Sequence, residues 1–97
     1  MNISGKLMMY EIRLTDSYKK RALKFFKKHP EQKGRYKTLM LLLEADPFNK
    51  ALNIKKLSGR KNIYRLRLTI HARVVIEILI SDKTVTPIDI NTRASIY

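Results

Sequence analysis

The stretch Ile63-Tyr64-Arg65-Leu66-Arg67-Leu68-Thr69, followed after Ile70-His71-Ala72 by Arg73-Val74-Val75-Ile76-Glu77-Ile78-Leu79-Ile80, decides the fold. Tyr64, Leu66 and Leu68 alternate with Arg65, Arg67 and Thr69, the period of a strand with one buried and one open face. Residues 73–80 are rich in β-branched side chains, and Ser81-Asp82-Lys83 reads as a hairpin turn. The next strand is expected over residues 85–91, with Ile88 and Ile90 facing opposite to Asp89 and Asn91. Pro87 cannot donate to a ladder, so this strand is expected to be distorted or partly at an edge. Together these segments form a three-strand meander.

Upstream, Tyr10, Ile12 and Leu14 alternate with Glu11 and Arg13, which predicts a half-buried strand. Thr15 or Asp16 can cap a following helix, because their side-chain oxygens accept from its free N–H groups. Tyr18, Ala22, Phe25 and Phe26 share one face of that helix, and Lys19, Lys20, Arg21, Lys24, Lys27 and Lys28 fill most of the rest. Pro30 ends it, since the residue before a proline is pushed out of helical geometry. A second helix is expected over about residues 31–45, with Tyr36, Leu39, Met40 and Leu43 on one face and Asp46-Pro47 as its stop. A loop holding Phe48, Asn49 and Ser58-Gly59 follows. The expected architecture is a single α+β domain over residues 1–97: an N-terminal strand, a helical hairpin and an antiparallel three-strand meander, forming one sheet with helices on one face.

Charge narrows the function. The 97 residues hold 21 Lys+Arg against 8 Asp+Glu, a net charge of +13, with 44% hydrophobic residues. That apolar content supports a packed core and argues against a solvated basic tail. The absence of cysteine rules out a disulfide scaffold, a thiolate zinc site and a cysteine nucleophile, and His29 and His71 alone cannot form an all-histidine metal site. No apolar run approaches the roughly 20 residues of a membrane span, and the N-terminus lacks a signal-peptide pattern, so a cytoplasmic location is expected. In that setting so positive a chain points to a polyanion, and nucleic acid first.

Between Asp46 and Glu77 there is no acidic residue, yet Lys50, Lys55, Lys56, Arg60, Lys61, Arg65, Arg67 and Arg73 fall there. Such a stretch gathers phosphates, which makes Lys50, Lys55, Lys56, Arg60 and Lys61 candidates for holding a nucleic acid such as RNA. The basic face of the first helix is either a second patch or an ordinary solvated face. Arg65 and Arg67, two apart on a strand, project from the same sheet face, and Arg73 can join them from the next strand. Two adjacent guanidiniums repel unless an anion lies between them. The plain alternative is exposed arginines paired with carboxylates, for which Glu77 and Asp89 stand on these strands.

The segments Lys56-Leu57-Ser58-Gly59, Ile63-Tyr64-Arg65-Leu66-Arg67-Leu68, Arg73-Val74-Val75-Ile76-Glu77-Ile78 and Arg93-Ala94-Ser95-Ile96-Tyr97, in that order, resemble the RelE/ParE superfamily of bacterial and archaeal toxins. The resemblance implies the toxin of a type II toxin–antitoxin system, partnered by a cognate acidic antitoxin in a hetero-oligomer. It implies an endoribonuclease that cuts messenger RNA in the ribosomal A site by attack of a 2′-hydroxyl on the phosphodiester, with no metal and no cofactor. Carried over by motif position, Arg65, Arg67, Arg73, Arg93 and Tyr97 are the implied catalytic set. The chain departs from the pattern in places. Both paired strand positions are arginine, a poor base, where some relatives carry lysine. Ala72 and Thr92 stand where relatives often have tyrosine and histidine. His71, and more weakly Asp89, are the remaining proton-transfer candidates. Two alternatives stay open: a ParE-like inhibitor of DNA gyrase, since one fold hosts both activities, and a non-catalytic RNA- or ribosome-binding relative.

Overall fold

The computed structural model describes residues 9–92, and Arg93 and Tyr97 lie outside them. The chain runs β1 (Glu11–Ile12), α1 (Asp16–Lys28), α2 (Lys33–Ala45), β2 (Ile54–Lys56), β3 (Ile63–Arg67), β4 (Ala72–Leu79) and β5 (Thr84–Thr92). The five strands form one sheet in the order β1-β5-β4-β3-β2. All neighbours are antiparallel except β1, which lies parallel to β5.

Local chemistry explains the helices. The Thr15 hydroxyl accepts from the Tyr18 backbone N–H at 3.1 Å, satisfying one of the free donors of the first turn of α1. His29 closes the helix by donating its N–H to the Phe25 carbonyl, and Pro30 opens a 3-10 turn, Pro30–Gln32, that delays α2 until Lys33. The expected second helix therefore begins two residues late, its first turn being too tight for α geometry. Tyr18, Phe25 and Phe26 of α1 and Leu39 and Leu43 of α2 are buried. They pack on the face of the sheet that presents Leu66, Val74, Ile76, Ile78, Val85 and Ile90. Phe26 meets both Phe25 and Tyr36 edge-on, and the Tyr18 and Tyr36 hydroxyls bond at 2.7 Å across the hairpin.

Three expectations need correction. First, the loop after α2 contains a 3-10 turn, Lys50–Leu52, and the strand β2, so the sheet has five strands rather than four. Ile54-Lys55-Lys56 carries almost no apolar pattern; it is a strand because β3 supplies its ladder, Lys55 opposite Arg65 and Lys56 opposite Tyr64. Second, the N-terminal strand is only Glu11–Ile12, and Leu14 is 47% exposed instead of facing the core. Third, the register slips between Val75 and Ile76, so Ile76 pairs with Pro87 and Val75 with Asp89. Ile88 is the extra residue of this bulge and turns out to 39% exposure, while Ile90 is buried. Pro87 sits at the irregularity, where its missing N–H is tolerated, just past the two residues of β5 that β1 covers.

Candidate functional site

With one sheet face covered by the helical hairpin, the alternation of β3 sends Arg65 and Arg67 to the other. The register then decides which charges meet. Arg67 lies directly opposite Arg73 on β4, and Arg65 lies opposite Lys55 on β2. Like charges facing each other across a ladder cost roughly 0.2–1 kcal/mol. Here two such pairs are adjacent, and among the described residues no ion pair joins Arg65, Arg67 or Arg73 to a carboxylate. The plain alternative, arginines balanced by Glu77 and Asp89, is not what the fold builds.

The four cations line an open cleft of about 370 Å³ with Asn53, Ile54, Thr69, Ile70 and Ala72. Arg65 and Arg73 are half-buried and Arg67 exposed. The Nε of Arg73 is buried with no hydrogen-bond partner, and so is the Oδ1 of Asn91, the residue opposite Arg73 on β5. The cleft thus offers several guanidinium donors at close range, the arrangement that binds a phosphate by forked charge-assisted hydrogen bonds.

Neighbouring elements hold these side chains in place. Arg35 of α2 donates through Nε to the carbonyl of Leu68, pinning the end of β3 one residue beyond Arg67. Thr69 and Ala72 close the turn between β3 and β4 with backbone bonds of 3.1 and 3.3 Å, which leaves Ile70 68% exposed at the cleft rim. Asn53 reaches the opposite rim from a left-handed conformation, φ 52°, which asparagine tolerates better than most residues.

The remaining sequence candidates are divided. Of Lys50, Lys55, Lys56, Arg60 and Lys61, only Lys55 lines the arginine cleft. Lys56, Arg60 and Lys61 line a second, shallower depression with Leu57, Ser58 and Gly59 in the turn between β2 and β3. Gly59 there has φ 75°, a conformation that favours glycine. Lys50 is exposed on the 3-10 turn before β2. His71 lies in the β3–β4 turn with an exposed side chain and is not among the cleft residues. Asp89 is engaged elsewhere: Arg21 of α1 donates to its Oδ1 at 3.1 Å, and Asn91 donates to its Oδ2 at 2.9 Å. Arg93 and Tyr97 lie outside the described residues. Asn53, Thr69 and Ile70 were not legible as cleft residues, because only the β2–β3–β4 register brings the two rims together. Among the described residues no three His, Cys, Asp or Glu side chains cluster as a metal ion would need, and no helix is long and apolar enough to cross a membrane.

A helical hairpin on one face of a mixed sheet and, on the other, an arginine cleft without a carboxylate partner among the described residues characterise a small basic α+β domain. Solved structures share this architecture. The archaeal RelE–RelB complex from Pyrococcus horikoshii matches with a TM-score of 0.71 and 25% identity, over 89% of this chain and 97% of that one. The RelB–RelE antitoxin–toxin complex from Methanococcus jannaschii matches with a TM-score of 0.67 and 25% identity, over 87% of this chain and 93% of that one. The DinJ–YafQ toxin–antitoxin complex of E. coli matches in fold, with a TM-score of 0.74 at 20% identity over 92% and 98%. No protein-family model matches the sequence, and no curated protein is significantly similar to it. The fold is RelE-like, and it agrees with the RelE/ParE superfamily that the motifs above resemble.

Proposed function

We propose that this protein is the toxin of a type II toxin–antitoxin pair and that it acts in the cytoplasm as a ribosome-dependent endoribonuclease. The observation that carries the proposal is the convergence of Arg65, Arg67 and Arg73 on one cleft with, among the described residues, no carboxylate to neutralise them. A phosphodiester bound there would sit among guanidiniums that stabilise the charge accumulating on its oxygens as the substrate's own 2′-oxygen bonds to phosphorus. Preorganised donors of this kind are worth about 3–4 kcal/mol of barrier. As that bond forms, the bond from phosphorus to the 5′-oxygen breaks, the 2′-hydroxyl loses a proton and the departing 5′-oxygen gains one. The products are a 2′,3′-cyclic phosphate and a free 5′-hydroxyl.

Arg65, Arg67 and Arg73 are the proposed catalytic residues within the described chain, and Arg93 and Tyr97 complete the proposed set. Lys55 extends the cleft's charge, while Lys50, Lys56, Arg60 and Lys61 are proposed to hold RNA or the ribosome by less specific attraction. An acidic antitoxin would mask the same surface, as charge complementarity requires. The relatives named above were solved with their antitoxins, which supports this partner.

The test is cleavage of messenger RNA on translating ribosomes by the purified protein, with mapping of the 5′ ends. Arg73→Ala is expected to abolish cleavage while leaving the circular-dichroism spectrum unchanged. Intact RNA with folded wild-type protein would overturn the proposal. Accumulation of linear plasmid without RNA cleavage would assign the protein to gyrase inhibition instead.

A further inference from the structure

The acid placed best to neutralise the cleft does not do so. Asp89 lies opposite Val75, and its neighbour Asn91 lies opposite Arg73, so Asp89 and Arg73 are diagonal neighbours across β4 and β5. Diagonal positions are roughly 7–8 Å apart, within reach of an arginine. Yet Arg73 makes no ion pair with Asp89 and its Nε is unpartnered. The carboxylate is already occupied. Its Oδ1 accepts from Arg21 Nη1 at 3.1 Å and from the Ile90 backbone N–H at 2.9 Å, and its Oδ2 accepts from Asn91 Nδ2 at 2.9 Å.

Arg21 can make this contact because α1 packs along β5 and, among the described residues, β1 covers only Thr84 and Val85 of that strand. The pair contributes little to the fold. Arg21's side chain is 59% exposed and Asp89's 33%, and solvent screens ion pairs of this kind. Its larger consequence is local. A carboxylate freed beside Arg73 would find a buried, unpaired guanidinium N–H, and it would remove a unit of positive charge from the anion site.

We infer that Arg21 is a positioning residue for the cleft: it draws Asp89 toward α1 and thereby keeps Arg73 free for an incoming anion. Asn91 takes part in the same arrangement. By donating Nδ2 to Asp89 it leaves Oδ1, an acceptor without a partner, on the side chain opposite Arg73. The inference rests on the cleft being a phosphodiester site, but its first consequence does not require RNA.

Two measurements test it on the full chain. The first is the NMR signal of the Arg73 Nε–H. In Arg21→Ala this signal is expected to shift and gain protection from exchange as Asp89 pairs with Arg73, and to return to its wild-type position in Arg21→Ala/Asp89→Asn. An unmoved Arg73 signal in Arg21→Ala overturns the inference whether or not the protein binds RNA. The second is binding of a 2′-O-methylated RNA hexamer, which cannot be cleaved. Arg21→Ala is expected to weaken it about tenfold, the size of one lost charged hydrogen bond. Adding Asp89→Asn should restore it, whereas Arg21→Ala/Asp82→Asn, equal in net charge, should stay weak. Equal rescue by both acid substitutions would show a bulk charge effect and overturn the inference. Failure of the wild type to bind the hexamer, with the NMR shift present, would overturn the cleft as a site for free RNA and leave the positioning intact.

Discussion

At the scale of single residues, the arginine cleft is a place where the fold accepts repulsion. Arg67 faces Arg73 and Lys55 faces Arg65, and among the described residues no carboxylate relieves either pair. Removing Arg73 should therefore separate stability from activity. Arg73→Ala is expected to leave the urea midpoint unchanged or slightly raised, because it deletes a like-charge pair worth under about 1 kcal/mol. The same change is expected to lower the cleavage rate by at least about a hundredfold, by single-turnover kinetics. The pair of buried Tyr18 and half-buried Tyr36 behaves in the opposite way. Burial first, and then the neighbouring Tyr36, push the Tyr18 phenol well above its ordinary value of 10.0, and burial raises Tyr36 as well. A raised folded pKa contributes stability that is complete below the unfolded value and is lost as pH rises beyond it. The urea midpoint should thus fall above about pH 10. Tyr18→Phe should cost about 1 kcal/mol near neutrality through the lost hydroxyl bond and should flatten that alkaline fall.

At the scale of elements, legibility followed the strength of the local pattern. α1 combined a capping threonine, a spaced apolar face and a terminal proline, and its bounds matched expectation closely. Thr15→Ala is expected to lower stability by about 1 kcal/mol in urea denaturation, with the loss traced to α1 by faster amide exchange in its first turn. β3 and β4 were equally plain, because alternation and β-branching coincide there. β2 was not, since three residues with two lysines carry no signal of their own and become a strand only by pairing. β5 was half legible. Pro87 marked the irregularity, but the direction of its effect was set by the bulge, which exposes Ile88 and keeps Ile90 buried.

At the scale of the molecule, the +13 charge divides by position. Much of it lies on the outer face of α1 and in the β2–β3 turn, where the side chains are exposed to solvent. A smaller part is concentrated on the open sheet face by register. Binding of the uncleavable RNA hexamer should weaken with salt with a log–log slope of about −0.7 per phosphate neutralised. Arg73→Ala should reduce that slope by about 0.7 in fluorescence-anisotropy titrations, since it removes one phosphate contact. Lys28→Ala on α1 should weaken binding far less, its exposed side chain lying outside the cleft residues.

The sequence by itself determined both helices and every strand except β2, the shared sheet face of Arg65 and Arg67, and the excess of cations over acids between Asp46 and Glu77. Periodicity, capping and composition are local properties, so they are written in consecutive residues. Only the tertiary structure decided that Arg67 meets Arg73, that Lys55 meets Arg65, and that Asp89 is held by Arg21. The first two join neighbouring strands through register, and the third joins α1 to β5 across 68 positions through helix placement. Register and placement follow from the packing of the buried faces and from one bulge between β4 and β5, which no single segment encodes.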